Sequence, residues 1–295
     1  MTALRTLLAG IVDYAGLFPP AALDMPTAVR NYAQYRASDD VWMLGRFVVP
    51  AERLGELARA LAAIAPDEAT WQVSALLGAD PSADMTRIAE FEQAHGARVT
   101  IDSLEVKAGD ADAVRRIGAL VRGGRDVFVE IPLANDPRAL LASIAAAGLH
   151  AKARTGGVTA DAFPAASAIA RFMQACVDAG VSFKATAGLH HPIRATYRLT
   201  YAPDAPVGTM FGFLNVFLAA AAVAQGAPES DVVALLTETR PDALIVTEHA
   251  ITWRALRFDT VALRAVRERV ALSFGSCSFR EPVDDLRALA LLTVA

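Results

Sequence analysis

The sequence predicts an α/β fold, a (β/α)8 TIM barrel with one insertion between strands seven and eight. Three observations predict it. Apolar runs of strand length alternate with helical patterns almost from end to end. The runs are apolar on both faces, as strands are in a parallel sheet covered by helices. Eight strand–helix units can be counted, the number that closes such a barrel. A chain of 295 residues, 54% hydrophobic, suits one barrel, so residues 1–295 are expected to form a single domain. The competing architecture is an open doubly wound sheet. It usually carries a Gly-rich first turn, and "DYAGLFPPA" is not one.

The elements follow in order. The first strand lies in "AGIVDYAGLF" (9–18), followed by helix "MPTAVRNYAQYR" (25–36). Strand "VWMLGRFVVP" (41–50) leads to helix "AERLGELARALAAIA", and "WQVSALLGA" (71–79) to "SADMTRIAEFEQAHG". Strand "ARVTIDSLEVK" (97–107) precedes "DADAVRRIGALVRGG", and "DVFVEIPL" (126–133) precedes "DPRALLASIAAAG". "LHAKARTGG" is strand six, followed by helix "DAFPAASAIARFMQACVDAG" and strand seven, "VSFKATAG". Strand eight is "RVALSFGSC" (269–277), and a last helix starts near Pro282. The stretch between strands seven and eight, about 192–268, is too long for a barrel crossover and reads as an insertion packed on the barrel. Within it, "ALIVTEHAITWRALRF" alternates like a hairpin.

Composition narrows the function classes. A net charge of −4, with both signs interspersed and no basic stripe, argues against nucleic acid as a partner. Two cysteines, Cys176 and Cys277, without CxxC spacing, fit a reducing, cytoplasmic setting better than a disulfide scaffold or zinc knuckle. The N-terminal "MTALRTLLAG" has too short an apolar part for a secretion signal. Segment 206–226 is almost wholly apolar but contains Asn215 and several small residues, so a buried helix is expected and not a membrane span. Its apolarity exceeds that of an outer barrel helix, which suggests cover by the insertion or by a second subunit, hence a homo-oligomer.

Two lysines stand in mid-strand, Lys152 in "HAKARTGGV" and Lys184 in "SFKATAGLHHP". Lysine is rarely buried without a partner. Catalytic side chains of a barrel come from the C-terminal strand ends, and strands six and seven are neighbours about 5 Å apart. Two ammonium groups that close disfavour each other's charge, so one amine becomes neutral near neutral pH, as a Schiff-base nucleophile requires.

Here the chain resembles deoxyribose-phosphate aldolase, a class I aldolase barrel. That family carries its Schiff-base lysine in K-x-x-T-G on strand six and a second lysine in K-x-x-G-G on strand seven. "KARTGGV" resembles the first segment, with Lys152, Thr155 and Gly156 at its positions. "FKATAGLHH" resembles the second, with Ala187 where the family has glycine. "IVDYAGLFPPA" resembles the first-strand opening and places Asp13 at the family's aspartate. "DSLEVKAG" places Glu105 at its catalytic acid. "SFGSCSF" resembles the eighth-strand phosphate loop, with Gly275, Ser276 and Ser278. The resemblance implies a Schiff-base lyase on a small carbonyl compound, needing no cofactor. Lys152 forms the imine, Lys184 lowers its pKa, and Glu105 with Asp13 moves protons.

The chain departs from the family at the anion site. Arg154 is bulky and charged where the family has a small hydroxyl residue, and His190 and His191, expected to bind substrate or shuttle protons, follow strand seven. "REPVDD" places Glu281, Asp284 and Asp285 at the last helix's N-terminus, where they repel a phosphate. A substrate carboxylate near Arg154 is therefore expected in place of phosphate at Ser276 and Ser278. Glu130 in "FVEIPL" is a candidate lysine partner or proton relay, and Arg46 reads as a salt-bridge residue. Asp102 and Glu105 face opposite ways on one strand, so one of them points inward. The alternatives are a metal-assisted hydrolase or isomerase using His190, His191 and Glu130, and a barrel that only binds a small molecule. No H-x-x-x-H or H-x-H spacing supports the metal, and Cys277 has no histidine in fixed register for a nucleophile role.

Overall fold

The computed structural model describes residues 1–64, 70–121 and 123–292. Helix α1 (Ala3–Leu8) precedes the barrel. Seven strands then follow in sequence: β1 (Val12–Tyr14), β2 (Leu44–Pro50), β3 (Trp71–Leu76), β4 (Val99–Lys107), β5 (Asp126–Glu130), β6 (His150–Arg154) and β7 (Phe183–Thr186). An antiparallel hairpin comes next, β8 (Ala195–Arg198) with β9 (Val207–Met210), and then a three-stranded meander, β10 (Leu244–Val246), β11 (Ala250–Trp253) and β12 (Leu256–Asp259). Strand β13 (Ala271–Ser276) pairs in parallel with β7 and with β1, so it is the eighth barrel strand and closes the ring. The fold is a (β/α)8 barrel with an insertion between the seventh and eighth barrel strands.

The covering helices are α2 (Met25–Arg36), α3 (Leu54–Ala62), α4 (Pro81–His95), α5 (Ala111–Leu120), α6 (Arg138–Ala146), α7 (Ala166–Ala179), α8 (Phe213–Ala224), α9 (Glu229–Leu236), α10 (Thr260–Arg269) and α11 (Arg280–Ala288). Their starts follow from capping chemistry. Asp24, Asp80, Asp110 and Asp259 each accept hydrogen bonds from backbone N–H groups of the first turn that would otherwise lack partners.

Three sequence expectations shift. The first strand is three residues long, because the chain turns at Gly16–Leu17–Phe18 ahead of a cis Pro19–Pro20 bond. Residues 243–258 make three strands and not one hairpin. Arg254, at φ +51°, supplies the left-handed residue that turns β11 into β12. The third concerns segment 207–224. Its first residues form β9, and Phe213–Val223 of α8 are all buried by this chain alone, packed against α7, α9, α10 and β13. The helix needs no second subunit to cover it. Among the described residues, no helix is long and apolar enough to cross a membrane.

Candidate active site

Strand register sets the site. Lys107, Glu130, Lys152, Lys184 and Ser273 are successive partners across β4, β5, β6, β7 and β13, so they form one rung around half of the barrel. Glu105 lies two residues before Lys107 on β4, on the same face. Asp13 on β1 closes the circle. Gly45 makes room for it, since a Cβ there would collide with the Asp13 carboxylate.

The charged groups alternate in sign. Lys184 Nζ lies 2.6 Å from Asp13 Oδ2 and 2.5 Å from Glu105 Oε1. Lys152 Nζ lies 2.7 Å from Glu105 Oε2 and 3.0 Å from Glu130 Oε2. Lys107 Nζ follows at 3.8 Å from Glu130 Oε1. Neutral donors complete the shell. Ser273 Oγ and the Arg46 backbone N–H donate to Asp13, and Ser74 Oγ donates to Glu105 and also bonds Ser103. The approach of Lys152 to Glu130 is short in distance but off the hydrogen-bonding direction, so Glu130 Oε2 is buried without an aligned donor.

This arrangement corrects the expected effect of one lysine on the other. The two are register partners, but Glu105 stands between them and takes one ammonium on each oxygen. Burial opposes ionisation of Glu105, yet Lys152 and Lys184 together hold its carboxyl well below the usual range. Burial likewise disfavours charge on Lys184, but Asp13 and Glu105 outweigh it and push its pKa up. Lys184 therefore stays an ammonium ion.

The two lysines differ in access. A cavity of about 280 Å³ opens above Lys152, bounded by Glu105, Glu130, Lys152, Arg154, His190 and Cys277. Lys184 lies beneath Glu105 and is not part of its wall. The volume is at the low end for a ligand pocket, which suits a small molecule.

The remaining candidates divide into wall and scaffold. Arg154 and Gly275 line the cavity; Thr155, Gly156, Ser276 and Ser278 do not. Thr155 Oγ1 instead donates to the carbonyls of Thr186 and Ala187, tying the loops after β6 and β7 together. Gly188 allows that approach, since its φ is +71° and a Cβ would meet Gly156 Cα at 2.9 Å. Ala187, at φ +62°, holds the same left-handed conformation at some cost. Ser276 Oγ lies 3.4 Å from His190 Nδ1, and Ser278 Oγ accepts from the Glu281 N–H at the start of α11.

His190 is buried in the cavity wall, with Nδ1 3.1 Å from Glu281 Oε2. Burial alone would lower its pKa, but Cys277 and Glu281 raise it to about 9. His191 turns away from the cavity, pairs with Asp285 at 2.5 Å and stacks on Tyr197. Glu130 faces the lysines. The three residues of the metal alternative thus serve three separate partners, and no metal-like cluster of His, Cys, Asp or Glu occurs among the described residues. Asp102 pairs with Arg46, which also reaches Asp126, so Glu105 is the inward carboxylate of β4.

Sequence reasoning missed Ser74, Ser103 and Ser273, because a serine in a strand carries no signal until register places it against a carboxylate. It also missed Tyr201, whose hydroxyl donates to Glu281 from the hairpin between β8 and β9. Compared with protein-family models, with curated proteins and with solved structures, the chain has no match in any of the three.

Proposed function

We propose that the protein is a class I aldolase-like lyase in which Lys152 forms a Schiff base with a small carbonyl compound. One observation carries this reading: the run Asp13–Lys184–Glu105–Lys152–Glu130, alternating in charge, whose last members face the cavity.

The chemistry follows from that order. Lys152 must shed a proton before it can attack. Glu130 is the acceptor, since its Oε2 has no aligned donor and lies 3.0 Å away. The free amine attacks the carbonyl carbon to give a carbinolamine. The hydroxyl leaves as water with the proton returned from Glu130, and an iminium remains. Its positive charge replaces the ammonium's beside Glu105, so the charge pattern is unchanged. When the adjacent C–C bond breaks, its electron pair moves into the iminium to form an enamine, and a carboxylate takes the proton of the departing carbinol. Protonation of the enamine carbon and hydrolysis by one water release the second product and restore Lys152. Lys184 stays charged throughout and keeps Glu105 ionised.

Enamine formation predicts exchange at the carbon next to the carbonyl. With acetaldehyde, propanal or acetone in D2O, the protein should speed α-deuteration, and Lys152→Met should abolish that acceleration. Equal exchange by Lys152→Met would contradict the reading.

A further inference from the structure

We propose that Lys107 and Arg154 form an anion subsite at the cavity mouth that takes the carboxylate of a small oxo acid, an inference that rests on imine formation at Lys152. Arg154 lies two residues beyond Lys152 on β6 and on the same face, so its Cα is roughly 7 Å from that of Lys152. Lys107 sits on the same rung as Lys152, two strands away. Both line the cavity above Lys152, and both also line a second, larger depression that adjoins it between β4 and α7. A substrate held by its carbonyl at Lys152 has these two cations a few atoms away.

Arg154 is exposed, and among the described residues it has no hydrogen-bond or ion-pair partner. Lys107 has only Glu130, at 3.8 Å, and its side chain is 74% exposed. The other cations in the cavity wall are already matched. Lys152 is held by Glu105 and Glu130, and His190 by Glu281. Unmatched positive charge is thus confined to the β4–β6 side of the mouth.

Among the described residues, the opposite side offers an anion no free cation. The Ser278 hydroxyl accepts from the Glu281 N–H, Ser276 faces His190, and Glu281, Asp284 and Asp285 already pair with His190, Arg280 and His191. An anionic substrate is therefore turned with its charge toward Arg154. A planar guanidinium matches a carboxylate through two parallel hydrogen bonds, a fork that lysine cannot make. The cavity, about 280 Å³, fits a short oxo acid.

The test separates this inference from imine formation. Propanoate has no carbonyl, so it probes the subsite alone in a ligand-observed NMR titration. We expect it to bind the wild-type protein, at least tenfold more weakly to Arg154→Gln and more weakly to Lys107→Gln, with partial recovery in Arg154→Lys. The second arm compares borohydride trapping of pyruvate with that of its methyl ester. The preference for the acid should shrink at least tenfold in Arg154→Gln. Propanoate binding that ignores both substitutions would overturn the subsite. So would inorganic phosphate binding more tightly than propanoate and independently of Arg154. Arg154-dependent propanoate binding without any trapped carbonyl would leave the subsite standing and defeat the lyase reading.

Discussion

Lys184 has a side chain 1% exposed and is held by two carboxylates. Lys184→Met would leave Asp13 and Glu105 facing each other across an apolar side chain. Removing one member of a buried ionic set typically costs about 3–5 kcal/mol. We expect a loss of that size in urea unfolding at pH 7. His190 gives a second test at this scale. Its folded pKa of about 9 lies above the ordinary 6.5, so its ion pair stabilises the fold fully below pH 6.5 and is lost as pH rises through 9. Stability should fall by about 3 kcal/mol across that window, and His190→Gln should flatten the slope. The lysines and Glu130 were legible in the sequence, because a charged residue inside an apolar strand calls for a partner, whereas Asp13 and Glu105 were placed by the resemblance alone. That a carboxylate would separate the lysines was not, since Glu105 and Lys152 come from strands that are not neighbours.

Helix α8 shows what an apolar pattern can and cannot say. Its burial was legible in segment 206–226, and cover by the insertion was one of the two expectations, but which helices supply that cover was not legible, because α9 and α10 carry ordinary mixed sequences. Asn215 is the polar exception and fastens the insertion. Its Oδ1 accepts from the Arg194 N–H, while Nδ2 donates to the carbonyls of Leu235 and Glu238. One side chain thus joins the start of the hairpin to the end of α9. Asn215→Leu keeps the volume but strands one buried and two partly buried backbone groups. We expect a cost of about 3 kcal/mol and faster hydrogen exchange at the Arg194 amide. Contact between the hairpin β8–β9 and residues 160–162 after β6 was beyond reading, because both segments look like loops in isolation.

The whole barrel was legible because its signal is repeated: strand and helix alternate, each strand is apolar on both faces, and eight units close a ring. The final strand could be placed despite the insertion because "RVALSFGSC" supplies one more run of strand length ahead of the last helix. The ring brings Asp13, Glu105, Glu130, Lys152 and Lys184, which span much of the sequence, to one end of the barrel, and it gives the two lysines different surroundings. Lys184 is sealed beneath Glu105, and Lys152 meets the cavity. The most direct test of the account is the position of a borohydride-reduced carbonyl adduct. The protein is incubated with acetaldehyde and with pyruvate, reduced and mapped by peptide mass spectrometry. The account predicts one adduct, on Lys152, absent from Lys152→Met. An adduct on Lys184 in the wild-type protein, or none on Lys152 with either compound, would contradict it.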